Sequence, residues 1–176
     1  MKKNDVVTVE VTDIGIGGEG IGKVDGYTLF IKDAVIGDTV EVKVMKAKKN
    51  YGYGRLMEIL KPSPYRVDPI CPSARQCGGC QLQAVSYEEQ KAFKEKKLRG
   101  HLERIGGFKE LPMEPLIGMD EPYHYRNKAQ FPVGRNKEGR IVTGFYAGRT
   151  HAIIENRDCA LGIPQNKEVL DRVIAH

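Results

Sequence analysis

Gly20-Ile21-Gly22-Lys23-Val24-Asp25-Gly26-Tyr27-Thr28-Leu29-Phe30-Ile31 decides the fold. Two runs of β-branched and aromatic residues flank Asp25-Gly26, a dipeptide that accepts the positive φ a two-residue hairpin demands. Upstream, Val7, Val9 and Val11 alternate with Thr8, Glu10 and Thr12; downstream, Val40, Val42 and Val44 alternate with Glu41 and Lys43. This period of two gives each strand one buried and one solvated face. A fifth strand at about Tyr53 to Leu60 completes a set that predicts a small barrel of the oligonucleotide-binding type, since closure removes exposed edges. Other small barrels, SH3-like ones included, share the pattern. Gly15-Ile16-Gly17-Gly18-Glu19-Gly20 matches G-x-G-x-x-G, but another strand follows it, not a helix whose N-terminus could hold a pyrophosphate. Its glycines are therefore expected to let a bent barrel strand turn.

Beyond this first segment, residues 1–61, the character changes. Pro62, Pro64, Pro69 and Pro72 make a stiff connector, and the capping box Ser86-x-x-Glu89 opens a helix of about five turns that Gly106-Gly107 stop. Leu98, Leu102 and Ile105 are expected to form its buried stripe, with Lys94, Lys97, His101 and Arg104 along another side. Residues 62–107 thus hold connector, cysteine loop and helix. Residues 108–176 return to strands, expected near Glu114 to Ile117, Lys128 to Val133, Ile141 to Tyr146 and His151 to Ile154, with a hairpin turn at Asn136-Lys137-Glu138-Gly139. A helix begins after Pro164, and the chain is expected to be cut short there, leaving an incomplete α+β domain. The fold class is β-rich α+β: a five-stranded barrel followed by an α+β segment with a four-cysteine metal site.

The chain has 176 residues, 28 Lys and Arg against 23 Asp and Glu, and 40% hydrophobic residues without Trp. That suffices for one or two domains with ordinary cores and excludes disorder of the whole chain. No run approaches the roughly 18 to 20 apolar residues of a membrane-spanning helix, and Met1-Lys2-Lys3-Asn4-Asp5 leads into alternating valines, not a signal-peptide core. A soluble, cytoplasmic monomer without a membrane partner is expected. The net charge of +5 leans modestly toward polyanionic partners.

Cys71, Cys77, Cys80 and Cys159 fit one site, C-x5-C-x2-C with a remote fourth member. Disulfides are disfavoured in a reducing cytosol. Three close thiolates and a distant one suit an iron–sulfur cluster better than the two close pairs usual in zinc ribbons, though structural zinc stays open on spacing alone. His101, His124, His151 and His176 show no ligand spacing, and no nucleophile–base pair stands out. Lys43, Lys46, Lys48, Lys49, Arg55 and Lys61 face only Glu58 in their stretch, and Tyr51 and Tyr53 interleave with them. Cations for phosphates beside rings for bases are what a single-stranded nucleic-acid surface needs, although a charge run alone is as well read as a solvated face. Tyr125-Arg126-Asn127-Lys128 reads alone as a strand end with surface charges.

Taken in order, these pieces resemble the RNA uracil-5 methyltransferase family, its ribosomal-RNA branch in particular. Val6 to Leu60, including Gly15 to Gly22 and Ala34-Val35-Ile36-Gly37-Asp38, looks like that family's N-terminal TRAM barrel. Cys71-Pro72, Cys77-Gly78-Gly79-Cys80-Gln81-Leu82-Gln83, Tyr125-Arg126-Asn127-Lys128 and Cys159 resemble its central-domain signature. The resemblance implies a [4Fe-4S] cluster on the four cysteines. It also implies a ribosomal-RNA partner, which Lys43, Lys46, Lys48, Lys49, Tyr51, Tyr53 and Arg55 are expected to meet on their charge and ring pattern, with Arg126 and Lys128 as further expected contacts. S-adenosylmethionine serves the parent family through a C-terminal Rossmann-type domain. Since 17 residues follow Cys159, neither that site nor the catalytic cysteine carries over to any residue here, and this chain alone is expected to be inactive. A free-standing RNA-binding adaptor with a structural metal site is the alternative. A part of a radical methylthiotransferase is a weaker third, because its three-cysteine spacing differs.

Overall fold

In the computed structural model, which describes residues 1–148 and 150–175, the alternating N-terminal strands close into a barrel. Its strands are β1 (Val6–Ile14), β2 (Gly20–Val24), β3 (Tyr27–Lys32), β4 (Thr39–Ala47) and β5 (Tyr51–Lys61), in the order β1-β2-β3-β5-β4 with β4 returning to β1. All neighbours are antiparallel except β3 and β5, which run parallel. Asp25 and Gly26 take φ of 49° and 80°, the doubly positive pair that a tight hairpin requires. The valines do what their spacing predicts: Val9, Val11, Val40, Val42 and Val44 join Leu29, Ile31 and Ala34 in the barrel core.

Such small valines fill a narrow barrel only if the backbones come close. A side chain at Gly22 would strike the Glu10 carbonyl and Val9 across the β1–β2 pair, and one at Gly54 would strike Val42. The G-x-G-x-x-G run lies in the loop between β1 and β2, where the Gly15 N–H donates to the Glu19 carbonyl at 2.7 Å.

Two compact units divide the chain. The first joins the barrel, Met1–Asp68, to Ala84–Ile117; the second takes Pro69–Gln83 and the chain from Gly118 onward. In the first, Arg66 and Val85 form an antiparallel bridge, so the chain leaves and re-enters this unit at one paired point. The helix α1 (Tyr87–Arg104) follows, its first turn capped by the Ser86 hydroxyl accepting from the Glu89 N–H at 3.4 Å. Its expected apolar stripe is buried only in part: Leu102 is half-buried, Leu98 is 50% and Ile105 82% exposed, and only Gly100 is fully covered. Apolar residues are sparse in this lysine- and glutamate-rich helix, which meets too little of the unit to cover them. The strand expected at Glu114 to Ile117 is likewise absent: the segment is irregular, and the Leu116 N–H donates to the Glu95 carboxylate instead of to a strand partner.

The second unit holds β6 (Val133–Arg135), β7 (Ile141–Tyr146) and β8 (Ile153–Glu155) as an antiparallel meander, then α2 (Gln165–Ala175). Asn136 and Gly139 make the expected turn, with Gly139 at a φ of 79°. The strand anticipated over Lys128 to Val133 starts only at Val133, because Pro132 removes the donor a longer ladder would use. Phe131 and Phe145 stack at 4.8 Å over this meander. Arg149 and His176 lie outside the described residues. Among the described residues, no helix is long and apolar enough to cross a membrane.

Candidate nucleic-acid interface and cysteine centre

On β5 the residues Tyr51, Tyr53 and Arg55 point outward while Gly52 and Gly54 turn toward the core, as strand alternation requires. The parallel register sets Phe30 opposite Tyr53 and Lys32 opposite Arg55; on the other side, β4 sets Lys46 beside Tyr53 and Lys43 beside Arg55. The three rings touch one another. Phe30 meets Tyr53 at 5.7 Å and 32°, and Tyr51 stands nearly perpendicular to both, at 5.8 Å from Phe30 and 5.9 Å from Tyr53. Such edge and offset contacts are the favoured ones for aromatic pairs. Tyr51 and Tyr53 remain 39% and 38% exposed.

The turn that carries Lys48 and Lys49 is fixed from beneath. The Tyr27 hydroxyl lies 2.9 Å from the Lys48 carbonyl and 2.5 Å from that of Tyr51, and accepts from the Lys48 N–H at 3.1 Å. Thus Lys43, Lys46, Lys48, Lys49, Tyr51, Tyr53 and Arg55 all lie along β4, β5 and their connecting turn. Sequence reasoning missed Phe30 and Lys32, although alternation with the buried Leu29 and Ile31 already put them on the outer face. Arg126 and Lys128 belong to the second unit and are exposed. There the backbone of Arg126 pairs with Gly162 and its N–H donates to the Leu161 carbonyl at 2.8 Å.

In the loop before β4, Asp38 is wholly buried, and it accepts from the Val35 N–H at 2.7 Å, the Ser63 N–H at 2.9 Å and the Arg66 guanidinium at 3.1 and 2.5 Å. Burial alone would push this carboxyl up; the Arg66 bond, the two backbone donors and the Arg66 charge outweigh it and hold the carboxyl below its ordinary range. Arg66 also donates to the Asp33 carbonyl at 3.0 Å, so one side chain ties the connector to the loop before β4.

The four cysteines lie in the second unit, all as free thiols. Cys71 is buried; its N–H donates to Gln83 Oε1 at 3.2 Å, and its Sγ accepts from Asn156 Nδ2 at 3.5 Å. Cys77 is set by an isolated bridge to Ala147, and its Sγ accepts from the Gly79 N–H at 3.3 Å. At Cys80, burial pushes the thiol up, a hydrogen bond from Gln83 acts against it, and charge on Cys159, Cys77 and Cys71 adds to the rise. Gln83 engages two of the four cysteines, the Cys71 backbone and the Cys80 thiol. Among the described residues, no group of three or more His, Cys, Asp and Glu is gathered tightly enough to hold a metal ion. In kind, four thiols, those of Cys71 and Cys77 with amide donors at sulfur, are the donor set a thiolate-bound cluster takes.

The family model for the TRAM domain matches residues 2–57, which are the barrel strands up to the middle of β5. An uncharacterized RNA methyltransferase of Halalkalibacterium halodurans is 46% identical over 173 residues, covering 98% of this chain and 38% of that protein. One from Clostridium tetani is 43% identical over 174 residues, covering 99% of this chain and 36% of that protein. Among solved structures, the Pyrococcus abyssi tRNA (uracil-54, C5)-methyltransferase in complex with S-adenosyl-L-homocysteine is similar with a TM-score of 0.58 and 25% identity, over 94% of this chain and 35% of that one. The chain spans somewhat more than a third of the length of the curated relatives it matches. Residues 2–57 are thus similar to the TRAM domain, and nearly the whole chain is similar to a part of proteins named RNA methyltransferases.

Proposed function

We propose that this chain is the RNA-binding and cluster-binding part of an S-adenosylmethionine-dependent RNA uridine C5-methyltransferase, with ribosomal RNA as the expected substrate. The observation that carries the RNA-binding half is the outer barrel face, where Lys43, Lys46, Lys48, Lys49 and Arg55 surround Tyr51 and Tyr53. Cations neutralise phosphates without regard to sequence, and rings accept any base, so this face would bring RNA to the protein without choosing the uridine. Arg126 and Lys128 are proposed as further phosphate contacts. Methylation of uridine by the Pyrococcus neighbour supports the reaction class, and its tRNA substrate is the alternative to ribosomal RNA.

Cys71, Cys77, Cys80 and Cys159 would hold the [4Fe-4S] cluster, supported by their standing as four free thiols within one unit and by amide donors at the Cys71 and Cys77 sulfurs. When bound, the cluster would clamp the loop that carries Cys71 to Cys80 onto the segment that carries Cys159, a structural role for which four thiolates leave no coordination site open. The G-x-G-x-x-G loop spans two barrel strands and is assigned no part in donor binding. Methyl transfer is assigned to no residue of these 176.

Salt titration tests the RNA-binding assignment. Binding of a single-stranded oligonucleotide should weaken with a log–log slope of about −0.7 for each phosphate neutralised, and Lys46→Ala or Arg55→Ala should each reduce the slope by about one contact. Affinity indifferent to salt would refute it.

A further inference from the structure

We propose that Asn156 and Asn166 are positioning residues of the cysteine centre: uncharged amide donors, the first at the Cys71 sulfur and the second beside the turn that carries Cys159, which favour the reduced form of a bound iron–sulfur cluster. This rests on the cluster reading above and adds to it the residues through which this chain sets the cluster's reduction potential.

Asn156 follows β8 directly, and its N–H donates to the Thr143 carbonyl of β7 at 3.1 Å, so its backbone is held by the sheet. Its side chain is engaged at both ends. Oδ1 accepts from the Asp158 N–H at 3.1 Å, which leaves Nδ2 as the end that meets Cys71 Sγ at 3.5 Å. The carboxamide thus sits on the segment that leads to Cys159, while its donor reaches a cysteine 85 residues earlier in the chain. Gln83 is oriented by the same logic, since its Oε1 accepts from the Cys71 N–H at 3.2 Å and its amide nitrogen is the donor left for the Cys80 thiol.

Asn166 stands in the first turn of α2. Among the described residues, its Nδ2 is the one buried side-chain polar atom without a hydrogen-bond partner. It lies against the turn that starts at Cys159, which the Gly162 N–H closes by donating to the Cys159 carbonyl at 2.9 Å. A Cβ on Gly162 would come 3.1 Å from this Nδ2 and 3.7 Å from the Cys159 Cβ, so the amide and the base of the cysteine side chain border the same small space. An unpaired buried donor is costly, and such a group is kept where a ligand uses it. Sulfur is the acceptor that this space offers. Hydrogen bonds to cluster sulfurs stabilise the more negatively charged form and so raise the reduction potential, and a carboxamide supplies them without adding a charge that must itself be paired.

The test uses the 176-residue chain loaded anaerobically with iron and sulfide, titrated with dithionite in the presence of redox mediators and followed by electron paramagnetic resonance. Asn156→Asp keeps the acceptor for the Asp158 N–H and puts an anion where the donor was, and Asn166→Leu keeps the volume and removes the donor. Circular dichroism with iron and sulfide analysis confirms that each variant is folded and loaded; Asn156→Leu and Asn166→Ala replace a variant that is not. Each substitution should lower the ratio of reduced to oxidised cluster at a fixed potential by about tenfold, a shift of about 59 mV to more negative values for a one-electron couple. A purely structural role would move the thermal midpoint and leave the potential where it is. An unchanged potential in either folded, loaded variant would overturn the proposal while leaving the cluster standing. Failure of the unaltered chain to take up sulfide with its iron would overturn the cluster reading itself, and this assignment with it.

Discussion

Asp38 and Arg66 show how much one buried pair can decide. The carboxylate is wholly covered and has four donors, so removing the guanidinium strands a charge that only the Val35 and Ser63 N–H groups still serve. Arg66→Ala should cost about 3 kcal/mol, at the low end of broken buried pairs because two donors remain, as read from chemical denaturation. Asp38 has a folded pKa below its unfolded one, so its contribution is complete above about pH 4 and is lost as pH falls through the lower folded value. Arg66→Ala should begin losing stability at a higher pH than the unaltered protein, because burial then acts on Asp38 with less to oppose it; an unchanged acid midpoint would contradict this. At the cysteines, anaerobic purification should yield about four iron and four sulfide per chain. One zinc without sulfide would refute the cluster. Gln83 engages both Cys71 and Cys80, so Gln83→Ala should weaken iron retention by roughly 10- to 100-fold, as loss of a ligand-orienting partner does elsewhere.

Among the elements, β2 is the least tolerant. Gly22→Ala would press a methyl group against the Glu10 backbone, which cannot rotate away, and should destabilise the barrel by about 3 kcal/mol or prevent its folding; thermal unfolding reads the difference. The cap of α1 matters less, since its 3.4 Å bond is long, and Ser86→Ala should cost about 0.5 to 1 kcal/mol. These two elements also show what the sequence discloses. Alternating valines, the Asp25-Gly26 turn and the Ser86 cap are local signals, and strands, hairpin and helix formed where such signals stood. Leu98 and Ile105 had helical spacing, yet spacing says which side of a helix they share and nothing of whether a partner covers it. Pro132 shortened β6 by a local rule that the expected strand ignored. Phe30 escaped notice because its partners Tyr51 and Tyr53 come to it through a parallel pairing more than twenty residues away, a contact that topology sets and local pattern does not.

Across the molecule, the division into two units cuts the chain at points no composition shift marked. The cysteine segment Pro69–Gln83 sits with the residues from Gly118 onward, whereas α1 goes with the barrel. What was legible is the barrel as a period; what was not is that the remote Cys159 falls in the same unit as Cys71, Cys77 and Cys80, because that depends on tertiary return of the chain. Under the proposed function, these residues bind RNA for a methyl transfer housed in a longer protein. Transfer of labelled methyl from S-adenosylmethionine to uridine tests it, with the 176-residue chain beside a protein spanning the full length of the relatives it matches. No product is expected from the 176 residues alone. C5-methylated uridine is expected from the longer protein, with kcat/KM reduced when Lys46 and Arg55 of the barrel are both changed to Ala. Methylated uridine made by the 176-residue chain, or a longer protein indifferent to the barrel substitutions, would contradict it.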